Sequence, residues 1–148
     1  MLVLMPAAVF VLLVFAAIAV DFAVIFLGER EVADAAAAAA NNAVVAAIGE
    51  QPFYTCGELS LDQATAETVA TQAVEARTSD AVVPSQVDVD IGSTVAGVPK
   101  ATVTVTGTVD LIFASAIPGA SPTAEVSATS VATAEQDPGI APVQSSCP

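Results

Sequence analysis

The chain has 148 residues, 55% hydrophobic and 13% charged, with a formal net charge of −13. Arg30, Arg77 and Lys100 are its only basic residues. That excludes a nucleic-acid partner, which needs basic clusters against its phosphates, and leaves no basic juxtamembrane patch for anionic lipid. Histidine is absent, so the commonest metal ligand and the usual general base are missing, and no Gly-rich phosphate loop or nucleophile elbow occurs. No catalytic, metal-binding or cofactor-binding residue is assigned, and the chain is not expected to be an enzyme.

Residues 1–28, MLVLMPAAVFVLLVFAAIAVDFAVIFLG, carry a single charged side chain, Asp21. A bilayer core of about 30 Å needs about 20 apolar residues in a helix, so this stretch is expected to be a transmembrane stem. It is apolar on every face, which suits lipid or a helix bundle. Pro6 falls in the first turns, where N–H groups lack intrahelical acceptors anyway. Ala17-Ile18-Ala19 has the form of a signal cleavage site, but no Lys or Arg precedes the apolar run, so the stem is expected to be retained. Asp21 has two readings. It is a boundary residue facing water, or it is an assembly contact that pairs with a neighbouring subunit, since a carboxylate within a membrane segment wants a partner. Ala19 and Ala23 form a small-xxx-small pair through which helix backbones can approach, and they join Asp21 as assembly-contact candidates.

The helix is expected to run past Gly28 through Glu29–Ile48, because alanine is the best helix former, with Gly49 as its C-cap. Residues 29–49 then form a projecting alanine-rich helix, 50–136 an extracytoplasmic α+β head, and 137–148 a Pro-rich C-terminal tail. The acidic balance suits a head held outside the cytoplasm, on a single-pass anchor in the cell membrane. With 5% aromatic residues and no Trp, the head has a thin core that needs help from the stem, a covalent staple or neighbouring subunits.

Within the head, residues 51–57 read as a loop. Ser60 and Gln63 form an S-x-x-Q capping box opening a second helix to about Arg77, with Ala66, Val69, Ala70, Ala73 and Val74 as its apolar stripe. Three strand-like runs follow. Val87, Val89 and Ile91 alternate with Asp88 and Asp90. Val103, Val105, Val109, Leu111 and Phe113 alternate with a row of threonines, interrupted at Gly107, which marks a bulge or a close backbone approach. Ala124, Val126 and Ala128 make a third run whose phase falters at Ser130-Val131, and Ile117-Pro118-Gly119 is the turn before it. The fold class is thus α+β: a long N-terminal transmembrane helix continuing into a small head with a second helix and a three-stranded antiparallel sheet. Asp88, Asp90 and Asp110 are expected near one another as a solvated acidic face, without the spacing of a calcium loop.

Cys56 and Cys147 are too far apart for a redox or zinc motif. In an exported head they can form one disulfide, worth roughly 4–5 kcal/mol in the chain-entropy model; otherwise they are two unpaired thiols.

The stretch from Leu2 to Ala43 resembles the N-terminal segment of the TadE/TadG-like proteins of tight-adherence (Flp-type) pilus systems. The shared order is an apolar segment with a proline (Pro6), an acidic residue (Asp21), an arginine (Arg30), and an alanine-rich helix with an Ala33-Asp34-Ala35 step. VDLIFASAIPGASPTAEVSATSVA looks like the family's terminal strands around Phe113 and the Pro118-Gly119 turn. The chain departs from processed pilins at position 5, which is Met5 and not glutamate. The resemblance implies a pilin-like minor subunit or assembly factor whose partners are the membrane, other pilus or assembly subunits, and further copies of itself. A stem-anchored or secreted surface protein unrelated to pili is the other reading of these residues.

Overall fold

The computed structural model describes residues 4–48, 60–94 and 98–134, Leu4 by its backbone alone. Cys56 and Cys147, Gly49, the loop at 51–57 and the tail at 137–148 lie outside the described residues.

Helix α1 spans Leu4–Ala47 without a break, about 66 Å at 1.5 Å per residue. Pro6 sits in its first turn, where no hydrogen bond is lost. Along its first half the side chains stand clear of the rest of the protein; Phe10, Leu12 and Phe15 are each about two-thirds exposed. From Asp21 onward one face is covered. Gly28, Val32, Ala36, Ala39, Ala40, Ala43 and Ala47 recur at three- and four-residue steps and are buried. Small residues on this face let other elements approach the helix backbone closely. Gly28 is the tightest point: a Cβ there would stand 2.5 Å from Val109 Cγ1, inside any real contact distance.

Helix α2 spans Gln63–Glu75. Its start is tied to the end of α1 by a bridge between Ile48 and Leu61 and by Asp62 N–H donating to Ala47 O at 2.9 Å. The capping residue is Asp62, not Ser60. Its Oδ1 accepts from Thr65 N at 2.8 Å and from Thr65 Oγ1 at 2.6 Å. Gln63 is therefore the first helical residue rather than the far member of a capping box, and its amide donates to Glu67 Oε1 and to Val89 O instead. The expected apolar stripe is buried at Ala66, Ala70, Ala73 and Val74, with Val69 half-buried. The helix closes at Glu75, two residues short of Arg77, because Arg77 and Thr78 N–H both turn back to Val74 O.

Three antiparallel strands follow: β1 (Val82–Ser93), β2 (Pro99–Asp110) and β3 (Thr123–Thr133), in the order β1-β2-β3. β1 begins earlier than its alternation suggests. A bulge between Pro84 and Gln86, opposite Gly107, inserts Ser85 and shifts the phase, so Val82 and Val89 both reach the inner face. Gly107 is required there, since a Cβ would meet Val83 O at 3.0 Å. β2 buries Ala101, Val103, Val105, Gly107 and Val109 in strict alternation. In β3 the alternation continues through the apparent fault: Ser130 takes the inward position and Val131 the outer face, 56% exposed opposite Thr102.

The inner face of the sheet carries α1 over β2 and β3 and α2 over β1, giving a two-layer α+β head. Its core is small. The largest fully buried side chains are valines, Val32, Val74, Val103, Val105, Val109 and Val126, set among alanines. The outer face is a row of half-buried threonines, where Thr104 and Thr129 share a hydroxyl hydrogen bond of 2.9 Å. Asp88 and Asp90 lie opposite Thr104 and Thr102, whereas Asp110 ends β2. Six residues of strand, about 20 Å, separate Asp110 from Thr104, so the three carboxylates do not converge as expected.

Candidate functional site

The candidate functional surface of this chain is the stem and the place where the head meets it. Among the described residues no three His, Cys, Asp or Glu side chains gather as metal ligands would. A groove of about 440 Å³ between α2 and β1, beside Thr71, Glu75, Pro84 and Gln86, brings no second titratable group to Glu75.

Helix α1 is the one described element long and apolar enough to cross a membrane, and its most apolar window has none of its residues buried within the protein. Exposed Val, Leu, Ile and Phe side chains cover it on all sides from Met5 to Val20 and continue on the uncovered face through Phe22, Phe26 and Leu27.

Asp21 is the single charge in this surface, and its partners are in the same chain. The loop between β2 and β3 folds back along the stem and makes one 3-10 turn at Ala114–Ala116. The N–H groups of Ile112 and Phe113 donate to Asp21 Oδ1, both at 3.0 Å, and that of Ala114 donates to Oδ2 at 2.8 Å. Phe113 and Ala114 carry donors that the turn leaves without acceptors at its start, Ile112 adds the one before them, and a carboxylate is a strong acceptor for all three. Both charge and loop benefit: the carboxylate gains three donors, and three backbone groups beside an apolar helix gain an acceptor.

The other two assembly-contact candidates point elsewhere. Ala19 and Ala23 are exposed, and at 100° per residue each lies about 160° around the helix from Asp21. Asp21 therefore faces the head, while Ala19 and Ala23 share the open side with Phe22 and Phe26.

A second polar tie joins stem and head one step higher. Glu31 accepts from Ser79 N through Oε1 and from Ser79 Oγ at 3.1 Å through Oε2, holding the turn between α2 and β1. Between Glu31 and Asp21, Gly28 seats the helix on Val109 and Val126.

Around Asp21, from the level of Val14 to that of Ile25, the stem and the loop flank an open apolar groove of about 550 Å³. Val14, Ala17 and Ile18 form one wall, and Phe113, Ala116 and Ile117 the other. The alternation puts Leu111 and Phe113 on the inner face of the second strand, but β2 ends at Asp110 and both lie in the loop that returns to the stem; the Pro118-Gly119 turn falls where expected. The available signal was charge: in an acidic head, nothing from Leu111 to Ala124 is charged, between Asp110 and Glu125.

Compared with protein-family models, curated proteins and solved structures, the chain matches none.

Proposed function

We propose that this chain is a membrane-anchored, pilin-like minor subunit or assembly factor of a tight-adherence pilus, with its head on the extracytoplasmic side. It works by helix packing and protein–protein contact, without catalysis. The observation that carries this reading is the division of α1: one continuous helix is apolar with no buried residue along Met5–Val20, yet forms the spine of the head along Gly28–Ala47. Such a helix can hold a head at a membrane and present its open side, at Ala19 and Ala23, to neighbouring stems. The order of residues shared with TadE/TadG-like proteins supplies the pilus context.

A photo-crosslinking amino acid at Ala23 tests the proposal in cells that make the protein. Adducts with pilus or assembly subunits, or with a second copy, are the expected result. A protein that stays in the membrane fraction with no protein adduct would overturn it.

One observation favours the other reading, a stem-anchored surface protein unrelated to pili. Both oxygens of Asp21 are already taken within the chain, so the stem offers no free carboxylate to a neighbour's amine. In that case a strain lacking the gene keeps its pili.

A further inference from the structure

The β2–β3 loop carries an unusual load of exposed apolar side chains. Beyond Leu27, the large hydrophobic residues exposed among the described residues are Val45, Val83 and Val131, scattered singly, and Ile112, Phe113 and Ile117, gathered in this loop. Ile112 and Ile117 are each 59% exposed. Isolated exposed valines are ordinary on a protein surface, whereas three large side chains together beside an apolar helix mark a contact.

The loop's position names the partner. It lies at the end of the sheet nearer the N-terminus of α1, and it reaches from Asp21 toward the level of Val14. Seven residues of helix are about 10 Å, the depth to which interfacial segments enter the headgroup and acyl boundary. The described helix ahead of Asp21, residues 4–20, is about 25 Å long and uncharged, at the short end of what spans a hydrocarbon core. Ile117 lines the same groove as Val14 and Ile18, so a bilayer that covers this part of the stem meets the apolar side of the loop.

The loop's polar groups are prepared for such a medium. From Leu111 to Ile117 every backbone N–H but that of Ser115 has an acceptor, three of them in Asp21. Pro118 and Pro122 have no N–H to satisfy, and the hydroxyls of Ser115 and Ser121 donate to Ile112 O and Thr123 O. Each backbone donor met within the protein lowers the cost of leaving bulk water, and the headgroup region can still hydrate the few that are not. The charges that bracket the loop, Asp110 and Glu125, stand where the sheet begins and set the level at which water returns.

We infer that the β2–β3 loop is a second, shallow membrane anchor: Ile112, Phe113 and Ile117 enter the headgroup and upper acyl boundary of one leaflet beside the stem, and a lipid acyl chain fills the groove between loop and stem. This rests on α1 being a membrane span. Asp21 is the clasp that carries the loop down the stem. The head is thereby fixed in tilt and rotation relative to the membrane, instead of swinging on a single helix.

The chain has no tryptophan, so a single introduced one reports its own surroundings. Full-length Phe10→Trp, Ile117→Trp and Ser93→Trp proteins are reconstituted in phosphatidylcholine vesicles brominated in the upper acyl chain, in vesicles brominated near the chain terminus, and in unbrominated vesicles. Circular dichroism confirms equal folding. Ser93 lies at the far end of the sheet and serves as the aqueous control. The expected result is loss of Ile117→Trp emission with the upper bromines, loss of Phe10→Trp emission with the deep ones, and neither for Ser93→Trp. Quenching at position 10 with an unquenched, acrylamide-accessible position 117 would leave the stem in the membrane and overturn the loop anchor. A position 117 shielded from both bromines and acrylamide would place protein, such as a second copy's stem, in the groove and overturn it too. No quenching at either position would remove the membrane span itself.

Discussion

The two halves of α1 are both apolar and both helical, yet one is bare and the other is the spine of a folded head. The difference is side-chain size. Residues 9–15 are Val, Phe, Val, Leu, Leu, Val and Phe, which keep any protein surface at a distance. From Gly28 to Ala47 the inward positions are glycine, alanine and two valines, and a sheet and a second helix settle directly on the backbone. Hydropathy alone ranks the first half as the better candidate for burial. What decides burial in protein rather than lipid is whether neighbours can come close enough for dense packing, since dispersion gains fall off within an ångström of misfit.

The strongest way to break this contrast is to make the covered half resemble the bare one. Ala40→Leu, at a position with no exposure, forces three extra carbons into a filled seam and is expected to cost about 3 kcal/mol or more in urea unfolding of the head. The same kind of change at exposed Ala19 is expected to leave head stability within about 0.5 kcal/mol, so that any effect of Ala19→Leu appears in assembly alone.

Removing the clasp comes next. Asp21→Asn keeps one acceptor oxygen but replaces the other with a donor, leaving Ala114 N–H unmatched and the charge assistance lost. A loss of about 1–2 kcal/mol is expected, with faster amide exchange confined to Ile112–Ala114. Unchanged protection of those amides would mean that the loop is held by its apolar contacts alone.

Gly28→Ala sharpens the point, because two effects oppose each other. Alanine gains about 1 kcal/mol of helix propensity, and its Cβ meets fully buried Val109 at a cost of about 1–3 kcal/mol. A lower Tm is expected; a higher one would show that Val109 gives way freely.

The smallest effect belongs to Asp62, whose carboxyl is held below its ordinary 3.8, first by the Thr65 hydroxyl and then by Thr65 N–H. A depressed folded value stabilises the fold above the unfolded value, and this contribution fades as pH falls through the folded one. Acidification below about pH 4 is therefore expected to loosen the start of α2 in the native protein and to have no further local effect in Asp62→Ala, which circular dichroism of the two proteins compares.

The regular parts of this fold were legible because they repeat. The stem's length, the alanine run and the valine-threonine alternation of β2 are periodic, and Gly107 marked its bulge. The missed features depend on single events. The inserted Ser85 reverses the phase of β1 and hides its first half. Ser60 and Asp62 are both good caps, and the Leu61 bridge to Ile48 decides for Asp62. Asp21 stood out as a charge needing a partner, but its partners are backbone groups some 90 residues away, and backbone donors have no signature in a sequence.

The central claim is that α1 holds the head at a membrane, and the intact mass of the native protein recovered from carbonate-washed membranes tests it most directly. The account predicts a membrane-pellet protein whose mass retains the stem through Met5–Val20. A soluble protein whose mass begins near Val20 would mean that the apolar half is removed as a signal, and it would contradict the anchor and the pilin-like reading together.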